Sequence, residues 1–155
     1  METMKVIWKS CSPYASPITI VEVEKADGTT KIRLCSDVTD LNEATIKDAE
    51  SIPHQQTVFD RMGGAKWFSN FNLVAGYWQV KIRREDIHKT AFVMPWGQYE
   101  YLRMLFRLCN ALVTFQRLMN FVLQEHLGEF VMVYLDDIFV YSQTYEEHVQ
   151  LGMGG

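Results

Sequence analysis

The 155-residue chain has no apolar run approaching the roughly 18 residues that a membrane-spanning helix needs. Its start, Met1-Glu2-Thr3-Met4-Lys5, is not followed by the apolar stretch of a secretory signal. Cysteine is scarce as well. Cys11, Cys35 and Cys109 are odd in number and far apart, which argues against a disulfide framework and sets the expectation of a reducing, intracellular setting. His54, His88, His126 and His148 have no neighbouring Cys or His, so zinc-ligand spacing is missing. Positive charge is also in deficit: 15 Lys and Arg against 19 Asp and Glu give a formal net charge of −4. That balance speaks mildly against a free-standing nucleic-acid binder. It decides little, because an acidic centre can coexist with basic patches elsewhere.

What the chain does have is core-forming material. Its 48% hydrophobic content, with four Trp, seven Tyr and nine Phe, fits one globular domain and excludes extensive disorder. Residues 17–23 alternate and are β-branched, and Asp27-Gly28 signals a turn into a returning strand over 31–37. Residues 38–53 read as a polar loop ending at Pro53, followed by a short helix over 55–62 that Gly63-Gly64 stops. Strands are expected over 66–72, 77–82 and 90–94, with Pro95-Trp96-Gly97 turning the chain into another at 99–102. Ala111, Leu112, Phe115, Leu118, Met119, Val122 and Leu123 recur at three and four, predicting a helix from about 110 to 127 that Gly128 ends. The final Gly-Met-Gly-Gly reads as a frayed tail. Strands and helices mix without a regular βαβ alternation, so the expected class is α+β.

Two apolar, β-rich runs, 130–135 and 138–142, are separated by Asp136-Asp137 alone. This predicts a tight hairpin with two acids at its tip. Carboxylates held that close repel one another and favour a hard divalent cation as counter-charge. An isolated Tyr-x-Asp-Asp is more often an ordinary solvated turn, so its surroundings decide.

Those surroundings are Gly63-Gly64-Ala65-Lys66-Trp67-Phe68-Ser69, Leu73-Val74-Ala75-Gly76-Tyr77-Trp78-Gln79, Glu85-Asp86-Ile87-His88-Lys89-Thr90-Ala91-Phe92, Thr114-Phe115-Gln116-Arg117-Leu118-Met119-Asn120 and Val133-Tyr134-Leu135-Asp136-Asp137-Ile138. In this order and spacing the chain resembles the reverse transcriptase of gypsy-class long-terminal-repeat retrotransposon Pol polyproteins, from about Ser12 to His148. The resemblance implies a right-hand polymerase fold: fingers and an antiparallel palm sheet with packed helices, the thumb being absent from this chain. On that basis 1–16 is a lead-in, 17–64 fingers, 65–150 palm and 151–155 the tail.

It also implies nucleotidyl transfer with two Mg²⁺ ions on a template–primer of RNA or DNA, using deoxynucleoside triphosphates. Asp136 and Asp137 match the hairpin pair of metal ligands. The third carboxylate should stand in a Phe-Ser-x-x-Asp-Leu sequence, which here reads Phe68-Ser69-Asn70-Phe71-Asn72-Leu73. Asn72 therefore occupies the catalytic ligand position in degenerate form. By the same resemblance Tyr77 lies under the incoming sugar and Arg33 contacts the triphosphate, while Phe106 and Gln116 face the nucleotide and template. Lys25 is either a second fingers cation or a plain solvated charge. Trp78 and Trp96 are base-stacking candidates, with buried packing as the default.

A second departure spans Met104-Leu105-Phe106-Arg107-Leu108-Cys109-Asn110-Ala111-Leu112-Val113-Thr114-Phe115-Gln116, where the family has Pro, Gly and Pro at 105, 107 and 112. Asn72, Arg107, Leu105, Leu112, Val113 and Ser51 each differ from the family residue by a change that one C-to-T transition on either strand produces. Three readings stand: an impaired polymerase fragment, an active polymerase completed by other segments, and a non-catalytic module that binds nucleic acid or protein. No membrane association is expected, and the oligomeric state is left open.

Overall fold

A computed structural model of the chain describes residues 5–24, 28–49, 54–73 and 75–153, without the side chains of 31–33, 55 and 153. In chain order the elements are β1 (Ile7–Lys9), β2 (Ile18–Glu24), β3 (Thr30–Ser36), α1 (Thr39–Ala44), α2 (Gln55–Arg61), β4 (Trp67–Asn72) and α3 (Gly76–Gln79). A 3₁₀ turn (Ile87–Thr90) leads to β5 (Phe92–Met94), β6 (Gly97–Tyr101), α4 (Ala111–Val122), β7 (Val131–Tyr134), β8 (Asp137–Ser142) and α5 (Tyr145–Met153). The chain divides into two compact units, each made of two separate segments: Met1–Lys47 with Tyr77–Cys109, and Asp48–Gly76 with Asn110–Gly155.

The first unit carries two antiparallel sheets. The alternating, β-branched β2 pairs with β3 across Gly28, whose φ of +78° is open to glycine without strain. The other sheet has the order β1-β6-β5, and β5 and β6 close around Pro95-Trp96 with Met94 opposite Gly97. Val6, Ile7, Val38, Phe92, Tyr99, Tyr101 and Leu105 make its core, and Trp78 packs on the edge of that cluster. The Phe92 and Tyr101 rings sit 4.7 Å apart, and the Tyr101 hydroxyl is hydrogen-bonded to Ser36 Oγ at 2.9 Å. A buried phenol is thereby satisfied.

The second unit is a three-stranded antiparallel sheet in the order β4-β8-β7, with α4 on β7 and α5 against β8 and β4. Val58, Met62, Met132 and Tyr141 form its core. Two serines on neighbouring strands hold α5 through one imidazole. Ser69 Oγ lies 2.8 Å from His148 Nε2, and Ser142 Oγ lies 3.0 Å from Nδ1. Ser142 donates its own proton to the Thr144 carbonyl at 2.9 Å, so the ring donates from Nδ1. With Ser69 on its other ring nitrogen, this one side chain ties α5 to β4 and β8.

The α+β class and the antiparallel sheets agree with the sequence. Several local expectations do not. Residues 38–53 contain α1, started where the Asp37 carboxylate accepts both the Thr39 amide at 3.1 Å and its hydroxyl at 2.6 Å. The strand expected over 77–82 is instead the short helix α3, and only Lys81 keeps a bridge, to Arg103. The turn begins at Ala75, whose φ of +55° takes the chain out of extended geometry. The 90–94 strand starts only at Phe92, because Thr90 closes the 3₁₀ turn with its hydroxyl on the Ile87 carbonyl at 2.6 Å. α4 ends at Val122, not near 127, and β1 and α5 were not anticipated. Asp27, Ser51 and Pro53 lie outside the described residues. Among the described residues no helix is long and apolar enough to cross a membrane.

Candidate functional site

The hairpin of β7 and β8 has the two-residue connection the sequence implied, but shifted by one residue. Tyr134 pairs with Asp137, so the turn consists of Leu135 and Asp136 while Asp137 opens β8. A two-residue connection needs a positive φ at one or both central positions. Here Leu135 supplies it at φ +58°, and Asp136 keeps a negative φ, which is the sign pattern of a type II′ turn. Glycine is the usual occupant of that position. A leucine there carries strain that its surroundings must hold.

Gln116 on α4 supplies that restraint. It is 4% exposed and commits its whole amide to the hairpin and its own helix. Oε1 accepts the Leu135 backbone N–H at 2.9 Å, and Nε2 donates to the Val133 carbonyl at 3.0 Å and to Asn120 Oδ1 at 3.0 Å. On the other side, the Asp136 carbonyl accepts the Leu73 N–H at 3.4 Å, which ties the turn to the end of β4.

Antiparallel register brings Asn72 directly opposite Asp137. Asn72 Nδ2 donates to Asp137 Oδ1 at 3.2 Å. The structure thus joins Asn72, Asp136 and Asp137 at one end of the sheet, as the sequence led one to expect. Asp136 Oδ1 is buried and has no hydrogen-bond partner in the described structure. A buried, unpaired carboxylate oxygen is costly unless a cation or donor meets it. It therefore fits a divalent ion. Asn72 adds no anionic oxygen to the pair, and its Nδ2 is turned to Asp137 as a hydrogen-bond donor. Accordingly no cluster of three His, Cys, Asp or Glu able to hold a metal occurs among the described residues.

The other candidates belong to the first unit. Arg33 sits in β3 opposite Val21, and its side chain is outside the described residues, as is the whole of Lys25. Tyr77 is half-buried in the first turn of α3, while Phe106 is 62% exposed on the loop after β6. Trp78 packs on the core as the default supposed, whereas Trp96 is 71% exposed. The loop that carries Arg107 is held by a residue the sequence reading passed over. Asn42 Nδ2 donates to the Arg107 carbonyl at 2.9 Å, and its Oδ1 accepts the Cys109 N–H at 2.8 Å. The Asp37 carboxyl is held below the usual carboxylate range, first by the Thr39 hydrogen bonds and in smaller part by the Arg107 charge. Asn120 was also missed, although its i+4 spacing from Gln116 on a helix was a usable signal.

Residues 23–152 match the family model described as reverse transcriptase (RNA-dependent DNA polymerase). The chain is 41% identical over 144 residues to the retrovirus-related Pol polyprotein from transposon opus of Drosophila melanogaster, covering 92% of this chain and 14% of that polyprotein. It is 37% identical over 147 residues to the corresponding polyprotein from transposon gypsy of the same fly, again covering 14% of it. An RNA-directed DNA polymerase homolog of Oenothera berteroana is 45% identical over 122 residues, which are 77% of this chain and 86% of that protein. Among solved structures, the foamy viral protease-reverse transcriptase in complex with RNA/DNA hybrid superposes with a TM-score of 0.80 at 24% identity, over 94% of this chain and 19% of the other. The same enzyme with dsDNA gives 0.82 at 25% identity, over 97% and 30%. Divalent-metal dependence is general in this family, and the orphaned Asp136 oxygen is in keeping with it. The chain spans a seventh or so of the transposon polyproteins and most of the plant protein, and it belongs to the reverse transcriptase family, as a fragment of the gypsy type.

Proposed function

We propose that the chain is the fingers-and-palm part of an RNA-directed DNA polymerase whose nucleotidyl transfer is impaired at its own metal site. The observation that carries the impairment is the hydrogen bond from Asn72 Nδ2 to Asp137 Oδ1 at 3.2 Å. Asp136 and Asp137 would hold Mg²⁺, with Asn72 at the degenerate third position. When bound, two such ions lower the barrier to attack by the primer 3′-hydroxyl and offset the charge of the triphosphate and leaving group. The chain's own residues do the rest. Gln116 and the Leu73 amide fix where the hairpin carboxylates stand. Tyr77, Arg33 and Phe106 are assigned to the sugar, the triphosphate and the base of the incoming nucleotide. Arg33 suits its task because a guanidinium matches phosphate oxygens in a planar fork.

Asn72 weakens this arrangement in two ways. It removes one formal negative charge from a site that must gather two cations. Its amide also occupies an oxygen of Asp137 that a metal would otherwise take. Loss of one preorganised electrostatic group costs about 10²–10³ in rate. The reading is supported by the family match and by nucleic-acid complexes of the foamy viral enzyme, which point to a template–primer as partner. Primer extension on an RNA template with Mg²⁺ or Mn²⁺ tests it, comparing the chain as it stands with Asn72→Asp. The substituted protein should extend at least about a hundredfold faster. Robust extension by the unaltered chain that vanishes in Asp137→Asn would overturn the impairment.

A further inference from the structure

We infer that Gln116 is a positioning residue that acts through the carboxylate hairpin and does not contact nucleotide or template. Three observations converge. The side chain is 4% exposed. Both of its N–H donors are taken, by the Val133 carbonyl and by Asn120 Oδ1, and its oxygen accepts the Leu135 amide. Leu135 is the residue whose φ of +58° makes the two-residue turn possible.

The chemistry of the amide explains why glutamine stands there. The turn presents a carbonyl at Val133, which is buried, and an N–H at Leu135, which is part-buried. A primary amide offers one acceptor and two donors, so a single side chain answers both groups and keeps a proton for Asn120. A carboxylate would accept the Leu135 N–H but repel the Val133 carbonyl. A thioether of equal length would fill the space and meet neither. With the amide removed, Leu135 loses what holds it in the left-handed region, and the flanking Asp136 and Asp137 lose their fixed direction. An exposed contact with a ligand needs a free donor or acceptor, and Gln116 has at most one oxygen lone pair left. Asn120 completes the device by fixing which way the amide is turned.

The inference rests on the polymerase reading only for its kinetic arm, so the test carries a second, independent readout. Gln116→Met and Gln116→Glu are prepared in the full chain, alone and with Asn72→Asp. Hydrogen exchange is followed at the Leu135 amide, with amides of β4 as the internal reference. Mn²⁺ affinity is read from electron paramagnetic resonance, and kcat and KM for deoxynucleotide are read in the Asn72→Asp background. In both variants Leu135 exchange should rise about tenfold or more while the β4 reference is unchanged. Mn²⁺ affinity should fall about tenfold in Gln116→Met, as for loss of a group that orients metal ligands. In Gln116→Glu the retained acceptor should leave Leu135 better protected than in Gln116→Met. Where extension is measurable, kcat falls and KM stays within about twofold. If Gln116→Met does not fold, the glutamate variant decides by the same exchange ratio. Unchanged Leu135 exchange overturns the inference, and so does a raised KM with kcat preserved. Absence of extension in the Asn72→Asp background counts against the polymerase reading alone, because exchange and Mn²⁺ binding still decide the role of Gln116.

Discussion

A substitution at one residue can leave the fold intact or strain it, and Asn72 against Gly76 separates the two cases. Asn72 is exposed at the end of β4, satisfied by Asp137, and costs the sheet nothing. Gly76 is buried, and a Cβ built there would come 2.7 Å from Phe115 Cζ and 3.3 Å from Leu73 Cβ. Phe115 is itself 2% exposed, so its ring has no room to swing aside. Gly76→Ala should therefore destabilise the second unit by about 1–3 kcal/mol, the usual cost of overpacking a close-packed site. Urea unfolding followed by tryptophan fluorescence measures it. A change under about 0.5 kcal/mol, the ordinary surface value, would mean that the ring gives way after all.

At the scale of elements, the parts legible in the sequence were those whose pattern repeats or whose turn chemistry is distinctive. α4 carries six of the seven apolar positions of its stripe, β2 and β3 alternate, and the acid pair marks the hairpin. α1 and α3 are one to two turns long, too short for a helical period to declare itself, and tertiary contacts decide them. α5 is mostly polar, and its anchor is His148 between serines 79 and 6 residues away in sequence, a relation no local window contains. For the same reason the acids and Asn72 could be assigned from motifs, whereas the amide clamps of Gln116 and Asn42 could not. Each depends on a loop 17 to 67 residues distant. β8 carries a further consequence. Its Tyr141 hydroxyl is buried with no hydrogen-bond partner in the described structure, and burial raises the phenol's pKa, with Arg61 offsetting part of the rise. A raised folded pKa adds stability below the unfolded value of about 10 and forfeits it as pH climbs through the folded value. Tyr141→Phe removes both the unsatisfied hydroxyl and this titration. It should stabilise the protein by about 1 kcal/mol at pH 7 and flatten the decline in thermal midpoint as pH rises past about 10. An equally steep alkaline decline in the variant would assign the effect to other groups, the buried Tyr101 first among them.

On the scale of the whole molecule, the departures from the family pattern at described residues fall in both units. Leu105 is buried in the core of the first unit, and Arg107 is exposed on the loop that follows. Leu112 and Val113 are half-buried in the first turn of α4, and Asn72 stands opposite Asp137 at the end of β4 in the second unit. The fold absorbs most of them. Leu105 adds apolar area to a core, and proline at the second position of a helix gives no hydrogen bond that leucine lacks. A protein refitted for another task would concentrate its changes where the new partner binds. Here the changes fall in both units, and no single segment carries them all. The changes also share a chemical form. Asp to Asn at 72, Gly to Arg at 107, Pro to Leu at 105 and 112, Ala to Val at 113 and Pro to Ser at 51 each follow from one C-to-T transition on either strand. We therefore propose that the chain descends from an element copy that decayed through cytosine deamination. The coding DNA should show a single transition from the family codon at all six positions, enriched at CpG or CpNpG sites. Codons at these positions that require transversions or several changes would sink the decay account and leave Asn72 needing another origin.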